Sequence, residues 1–85
     1  MSVEELRKQE SVVEAVLFTM GQSVEIRQLS AALECSEQEA AEITERLRSR
    51  YDEEGRGMQL VRLEDSYQMC TRADYYENLI RVPDQ

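Results

Sequence analysis

The chain has 85 residues, enough for one domain. It carries 18 Asp and Glu against 10 Lys and Arg, a formal charge of −8, and this balance disfavours a polyphosphate partner unless the cations gather on one side. Histidine is absent, which excludes the commonest general base and every Ser-His or Cys-His nucleophile. We therefore expect no enzymatic activity.

The first predicted helix starts at a capping box formed by Ser2 and Glu5 and ends at Gly21, because glycine adopts positive φ without steric cost. The longest uninterrupted apolar run, residues 15–18, is too short to span a membrane, and the charged N-terminus lacks a secretion signal. We expect a cytoplasmic protein that does not contact a membrane. The apolar face of this helix comprises Leu6, Val13, Val16, Leu17 and Met20.

Residues 26–51 predict a helix, a tight turn and a longer helix. A second capping box, Ser36 with Glu39, starts the longer helix. Two short amphipathic helices joined this closely form a helix-turn-helix. The longer helix also carries three pairs of opposite charge at i, i+4, which indicates a solvated face: Glu42–Arg46, Arg48–Asp52 and Arg50–Glu54. The two predicted buried faces are Ile26, Leu29, Ala32 and Leu33, then Ala40, Ile43, Leu47 and Tyr51.

Two runs rich in strand formers follow, residues 58–63 and 67–71, around a polar turn at 64–66. A β-hairpin placed after a helix-turn-helix is the wing of a winged-helix domain. A last short helix starts at Asp74 and stops at Pro83. The predicted fold is α+β, mostly α: a winged helix-turn-helix with a three-helix core, a two-stranded β-wing and a short C-terminal helix. The domain fills residues 1–82, and 83–85 form a tail.

The predicted hairpin is apolar on both faces. With strict alternation, Met58 and Leu60 point one way while Val61 and Leu63 point the other, and a two-stranded wing hides only one face. Either the last helix covers the second face or another chain does. If the second case holds, the candidates for contact with a second copy are Val61, Leu63, Tyr67, Met69, Tyr76 and Ile80. The first helix is the alternative location for such an interface.

The sequence contains no recognisable metal or cofactor site. Cys35 and Cys70 without a histidine cannot complete a four-ligand zinc site, and the three glycines do not form a phosphate-binding loop. We expect both cysteines to be small core residues in a reducing compartment. A disulfide between them and a thiol redox sensor remain as alternatives, although no basic neighbour in the sequence lowers a thiol pKa.

The predicted recognition helix has the wrong charge for a DNA groove. Residues 36–54 hold seven acids against three arginines, and the wing tip, Glu64 and Asp65, is acidic too. Only Arg56, Arg62 and Arg72, around the base of the hairpin, are candidates for a basic patch, and scattered surface arginines are the simpler interpretation. A winged-helix fold suggests DNA binding, but the charges argue against direct DNA binding. We give the charges more weight, because function depends on the site more than on the fold.

Several segments together resemble one known family. They are VEAVLF at 13–18 followed by Gly21, the apolar positions 29–33, GRGMQLV at 55–61 and SYQMCTR at 66–72. These resemble the N-terminal winged-helix domain of the segregation and condensation protein B (ScpB) family, over residues 9 to 80. The chain departs from the family at Ser23, where a proline is usual, and at Asp65 and Ser66, where small residues are usual.

The resemblance implies a non-enzymatic accessory subunit of the bacterial SMC condensin complex. Such a subunit forms homodimers and binds the kleisin ScpA, and through it SMC, in chromosome condensation and partition during cell division. It implies a nucleoid-associated cytoplasmic protein without cofactors, in which a second winged-helix domain follows this one. The alternative is a winged-helix DNA-binding transcriptional regulator, which would need positive charge from elsewhere.

Overall fold

A computed structural model describes residues 2–83 as three main helices with a small antiparallel sheet against them, followed by two short helical turns. The helix-turn-helix followed by a hairpin is the predicted winged-helix order. The elements are α1 (Val3–Met20), β1 (Val24–Glu25), α2 (Ile26–Leu33), α3 (Glu37–Glu53), β2 (Met58–Leu63), β3 (Ser66–Thr71), a 3₁₀ helix (Ala73–Tyr75) and α4 (Tyr76–Leu79).

The predicted helix caps are present. The Glu5 N–H donates to Ser2 Oγ and the Glu39 N–H donates to Ser36 Oγ, each at 3.1 Å, while each glutamate side chain accepts from the backbone N–H of its serine. Gly21 ends α1 with a φ of 67°. These local contacts use backbone donors and acceptors that a helix end leaves unpaired, so both ends of α1 and the start of α3 follow from the sequence. The last helix, predicted to start at Asp74, is instead a 3₁₀ turn followed by α4, which begins at Tyr76.

The sheet differs from the predicted two-stranded wing. A two-residue strand, β1, pairs antiparallel with β3 and gives the strand order β1-β3-β2. Two residues are too few to show a period of two, which is why the sequence does not reveal this strand. The hairpin turn is also shorter than predicted, since Ser66 already pairs with Leu63 and leaves only Glu64 and Asp65 in the turn.

The core lies where α1, α2 and α3 meet the inner side of the sheet. The predicted α3 face is buried in full, whereas Met20 and Ala32, predicted on buried faces, are exposed. The buried apolar side chains are Val13, Leu17, Val24, Ile26, Leu29, Ala40, Ile43, Leu47, Tyr51, Leu60 and Tyr67.

An ion pair also joins α1 to α3. The buried carboxylate of Glu10 accepts from Arg50 Nε at 2.8 Å and Nη2 at 3.3 Å, and Arg46 Nε lies 3.6 Å from it. These arginines therefore turn towards α1 instead of forming the predicted pairs with Glu42 and Glu54. A carboxylate removed from water needs such partners far more than an exposed one does.

Candidate protein-interaction surface

The strand register assigns each wing residue to one face of the sheet. Leu60 opposes Met69 and Arg62 opposes Tyr67, and directly opposed residues of antiparallel strands share a face. That face packs on the helices. Val61 lies on the other face, as do Leu63 and, on β3, Gln68 and Cys70.

The six predicted contact residues fall into three environments. Leu63 is 49% exposed, Tyr76 63% and Ile80 59%, whereas Val61 and Met69 are half-buried. Tyr67 is fully buried, so the prediction that its ring offers a surface contact is wrong for this fold. It fails because Tyr67 lies on the inner face of the sheet, opposite Arg62, and packs into the core.

Tyr67 instead fixes the wing to α3. Its hydroxyl donates to Glu45 Oε2 at 2.6 Å and accepts from Arg62 Nη1 at 3.2 Å. Burial and the hydrogen bond to Glu45 raise the pKa of Tyr67 to about 12. The hydroxyl is therefore neutral at physiological pH and serves as a structural donor.

An apolar groove runs between α1 and the wing. It has a volume of about 380 Å³, and we call it the α1 groove. Phe18 stands at its edge with 78% of its surface exposed. The hydroxyl of Tyr51 donates to the Glu14 carboxylate at its polar rim. The groove is lined by Ser11, Glu14, Ala15, Phe18, Tyr51, Met58 and Met69.

The end of the described chain forms a second apolar surface, residues 73–82, which we call the C-terminal segment. Every residue of this segment is exposed, so the predicted alternative in which the last helix is buried over the wing does not occur. Its large apolar side chains are Tyr75, Tyr76, Leu79, Ile80 and Val82. Exposed apolar side chains grouped in this way are typical of protein–protein contacts.

The face of α3 that would enter a DNA groove is open and acidic. A groove of about 960 Å³ lies between α3 and the wing tip. Five carboxylates line it, together with three arginines that already contact Glu10 or Glu45. The carboxylates are those of Glu37, Glu42, Glu45, Glu53 and Asp65. Such a surface repels phosphate.

The three arginines at the base of the wing do not form a free basic patch. Arg56 pairs with Glu54 at 2.7 Å, and Arg72 pairs with Asp52 at 2.7 Å. Arg62 lies 4.0 Å from a Glu45 oxygen. Each guanidinium therefore has a carboxylate nearby that offsets its charge.

Cys35 lacks the surroundings of a reactive thiol. Cys35 and Cys70 are both half-buried and unpaired. Burial, with the nearby charge of Glu39, raises the pKa of the Cys35 thiol and so disfavours its thiolate. Within residues 2–83, no cluster of three or more acids and cysteines is arranged to hold a metal ion, and no helix is long and apolar enough to cross a membrane.

Sequence comparison identifies the family. The family model for the segregation and condensation complex subunit ScpB matches residues 11–85. The chain belongs to the ScpB family. Its relatives include the segregation and condensation protein B of Lachnoclostridium phytofermentans, 36% identical over 78 residues, and that of Caldanaerobacter subterraneus, 44% identical over 73 residues.

These alignments cover 92% and 86% of this chain but only 41% and 43% of the two relatives. The chain thus spans about two fifths of the length of the curated relatives it matches. The resemblance stated from sequence is confirmed.

Solved ScpB structures have the same fold. A dimer of a ScpB N-terminal domain complexed with a ScpA peptide superposes with a TM-score of 0.85 and 33% identity, covering 91% of this chain and 96% of that one. The ScpB of Mycobacterium tuberculosis superposes with a TM-score of 0.83 over 89% of this chain and 48% of that one. At 21% identity, the second match supports the fold alone.

Proposed function

We propose that this chain is a homodimerising domain of an accessory subunit of the bacterial SMC condensin complex and that it binds the kleisin ScpA. The observation that carries the proposal is its 33% identity and TM-score of 0.85 to the ScpB N-terminal domain that was solved as a dimer with a ScpA peptide. The exposed apolar α1 groove and C-terminal segment agree with it, because both offer surface for another chain.

We further propose that the domain has no enzymatic activity and works in the cytoplasm, associated with the nucleoid through SMC. The family name describes a segregation and condensation subunit. The sequence lacks histidine, the commonest general base. The domain bounds 1–82 and a following winged-helix domain remain predictions.

The test has two measurements on the 85-residue chain. Sedimentation equilibrium is expected to give a dimer at micromolar concentration. Fluorescence anisotropy with a labelled ScpA peptide, the one seen in the similar dimer, is expected to show saturable binding. A scrambled peptide is expected to show none. A strict monomer would contradict the homodimer, and absence of peptide binding would contradict kleisin recognition by this domain.

The competing function, a DNA-binding regulator, has only the fold in its favour. Titration of labelled non-specific duplex DNA at low salt, where phosphate contacts are strongest, is expected to show no binding. Binding that weakens steeply with salt would contradict the interpretation of the acidic α3 face.

A further inference from the structure

The α1 groove lacks an occupant within the described chain. Its walls are side chains of Ala15 and Phe18 on one side and Met58 and Met69 on the other. At about 380 Å³ it has room for roughly a dozen waters at about 30 Å³ each. Releasing water from apolar walls of this kind is the main favourable term in protein association.

The C-terminal segment has side chains that fit such a groove. Tyr76, Leu79 and Ile80 stand at i, i+3 and i+4, so they fall on one helical face, and all three are exposed. A short helix that exposes its apolar face gains most from docking in a hydrophobic groove.

The start of the segment is fixed close to the groove. Arg72 donates its N–H to the Gly57 carbonyl at 3.0 Å and its guanidinium to Asp52 at 2.7 Å. Thr71, the residue before it, pairs with Met58 of the groove wall. Groove and segment therefore lie at the same end of the sheet, yet the segment of this copy leaves its own groove open.

We infer that in the homodimer the C-terminal segment of each copy lies in the α1 groove of the other. The inference rests on the proposed dimer and names its contact surface. A two-fold axis near the Met58–Thr71 pair would form the same contact twice, because such an interface is isologous.

Charge favours this surface over the acidic α3 face. Two copies of net charge −8 repel one another, and pairing through the acidic α3 face would place like charges together. The α1 groove has a single carboxylate in its lining, that of Glu14. The C-terminal segment holds two carboxylates, those of Asp74 and Glu77, and one arginine, Arg81, which pairs with Glu77 at 3.7 Å. Groove and segment together therefore bring fewer like charges into contact than two α3 faces with five carboxylates each.

The first experiment measures dimer affinity by sedimentation equilibrium for Phe18→Asp and for Ile80→Asp. Each is expected to weaken the dimer by roughly 30-fold, the loss typical of a central contact residue. Val3→Asp is the matched control: an exposed apolar residue on the same helix, outside the groove, whose variant should stay within about threefold. Circular dichroism should show unchanged folding, because all three side chains are exposed.

The second experiment tests which surfaces meet. In a Cys35→Ser, Cys70→Ser background, a Phe18→Cys chain is mixed with an Ile80→Cys chain and treated with a short bismaleimide. A crosslink between the two different chains is expected, and a Val3→Cys chain mixed with the Ile80→Cys chain should give none.

The outcomes separate the inference from the proposed function. The inference is overturned, and the homodimer stands, if the wild type is a dimer, Phe18→Asp and Ile80→Asp dimerise equally well, and the crosslink does not form. A strictly monomeric wild type overturns both. If the ScpA peptide, and not dimerisation, shields Phe18→Cys from maleimide, then the occupant of the groove is the kleisin and the inference is wrong.

Discussion

In α1 the carboxylate-bearing Glu10 is 3% exposed, whereas Phe18, about two turns further on, is 78% exposed. This reverses the usual burial of apolar and exposure of charged side chains. Glu10 faces α3, where Arg50 and Arg46 neutralise it. Phe18 faces the α1 groove, where nothing in residues 2–83 covers it.

The comparison separates two kinds of contact on one helix. The contacts of Glu10 are complete within the chain and belong to folding. The side chain of Phe18 is uncovered within the described chain, and the proposed dimer would cover it. Measurements on the single chain should therefore respond to Glu10, and measurements on its assembly should respond to Phe18.

The largest expected effect on stability is that of Glu10→Ala, which should lower the free energy of unfolding by about 2 kcal/mol and the melting temperature by roughly 10 °C. It removes charge-assisted hydrogen bonds between α1 and α3. The loss of stability is smaller than for breaking a fully buried ion pair, because the guanidinium groups of Arg46 and Arg50 are partly exposed and regain contact with water. Urea unfolding followed by circular dichroism measures it.

Two controls sharpen this prediction. Glu4→Ala, on the exposed side of the same helix, and Phe18→Ala, at concentrations where the chain is monomeric, should each stay within about 0.5 kcal/mol of wild type. A double-mutant cycle of Glu10→Ala with Arg50→Ala should show coupling. Equal losses of unfolding free energy for Glu10→Ala and Phe18→Ala would contradict the conclusion that Glu10 stabilises the fold and Phe18 does not.

The next effect appears at alkaline pH. Burial and hydrogen bonds to Glu14 and Glu45 raise the pKa values of Tyr51 and Tyr67, respectively, to about 12, above the ordinary value of 10.0. Because the folded pKa values are raised, the stabilisation they represent is complete below pH 10 and is lost as pH rises towards 12.

The melting temperature should therefore fall between pH 10 and 12. The double variant Tyr51→Phe, Tyr67→Phe should be less stable at neutral pH and should lose much of that pH dependence, since phenylalanine does not ionise. Tyr75→Phe, Tyr76→Phe, at exposed positions, is the matched control and should follow the wild-type profile. Parallel profiles for the two double variants would contradict the prediction.

The sequence predicts the helices well because their signals are local. The Ser36–Glu39 capping box and the apolar period along α3 depend only on neighbours three or four residues away. The fold class and the family follow from the same signals. Two-residue β1 has no period of its own and forms only because β3 is beside it.

The interaction surface is harder to predict because it depends on contacts between residues that are far apart in the sequence. Alternation in β3 puts Tyr67 and Met69 on one face, but only the fold shows that this face is the inner one. Phe18 falls in the apolar run at 15–18, and only the position of the wing shows that its ring stays outside. The role of Glu10 depends on arginines 36 and 40 residues away, which no local pattern connects to it.

A smaller effect is expected at the wing tip. Leu63 lies on the outer face of the sheet, away from the α1 groove. Leu63→Asp should therefore change the dissociation constant of the proposed dimer by less than about threefold, because a substitution outside an interface centre is nearly neutral. Sedimentation equilibrium beside Phe18→Asp gives the direct comparison. Weakening equal to that of Phe18→Asp would move the interface to the outer wing face.

The smallest effect concerns the backbone of the hairpin turn. Glu64 has a φ of 53°, a left-handed conformation that costs most residues roughly 1 kcal/mol and that asparagine tolerates better. The backbone carbonyl of Asp65, the other turn residue, accepts a hydrogen bond from the Ile26 N–H at 2.8 Å. This bond connects the turn to the start of α2 and keeps the turn geometry in place. Glu64→Asn should thus raise the melting temperature by about 3 °C, corresponding to about 0.5 kcal/mol.

Glu64→Gln separates this conformational effect from the removal of a negative charge. Glutamine lacks the charge but has no preference for the left-handed region, so it should give little of the gain. If the glutamine variant melts as high as the asparagine variant, relief of charge repulsion at the acidic wing tip explains the stabilisation and backbone strain does not.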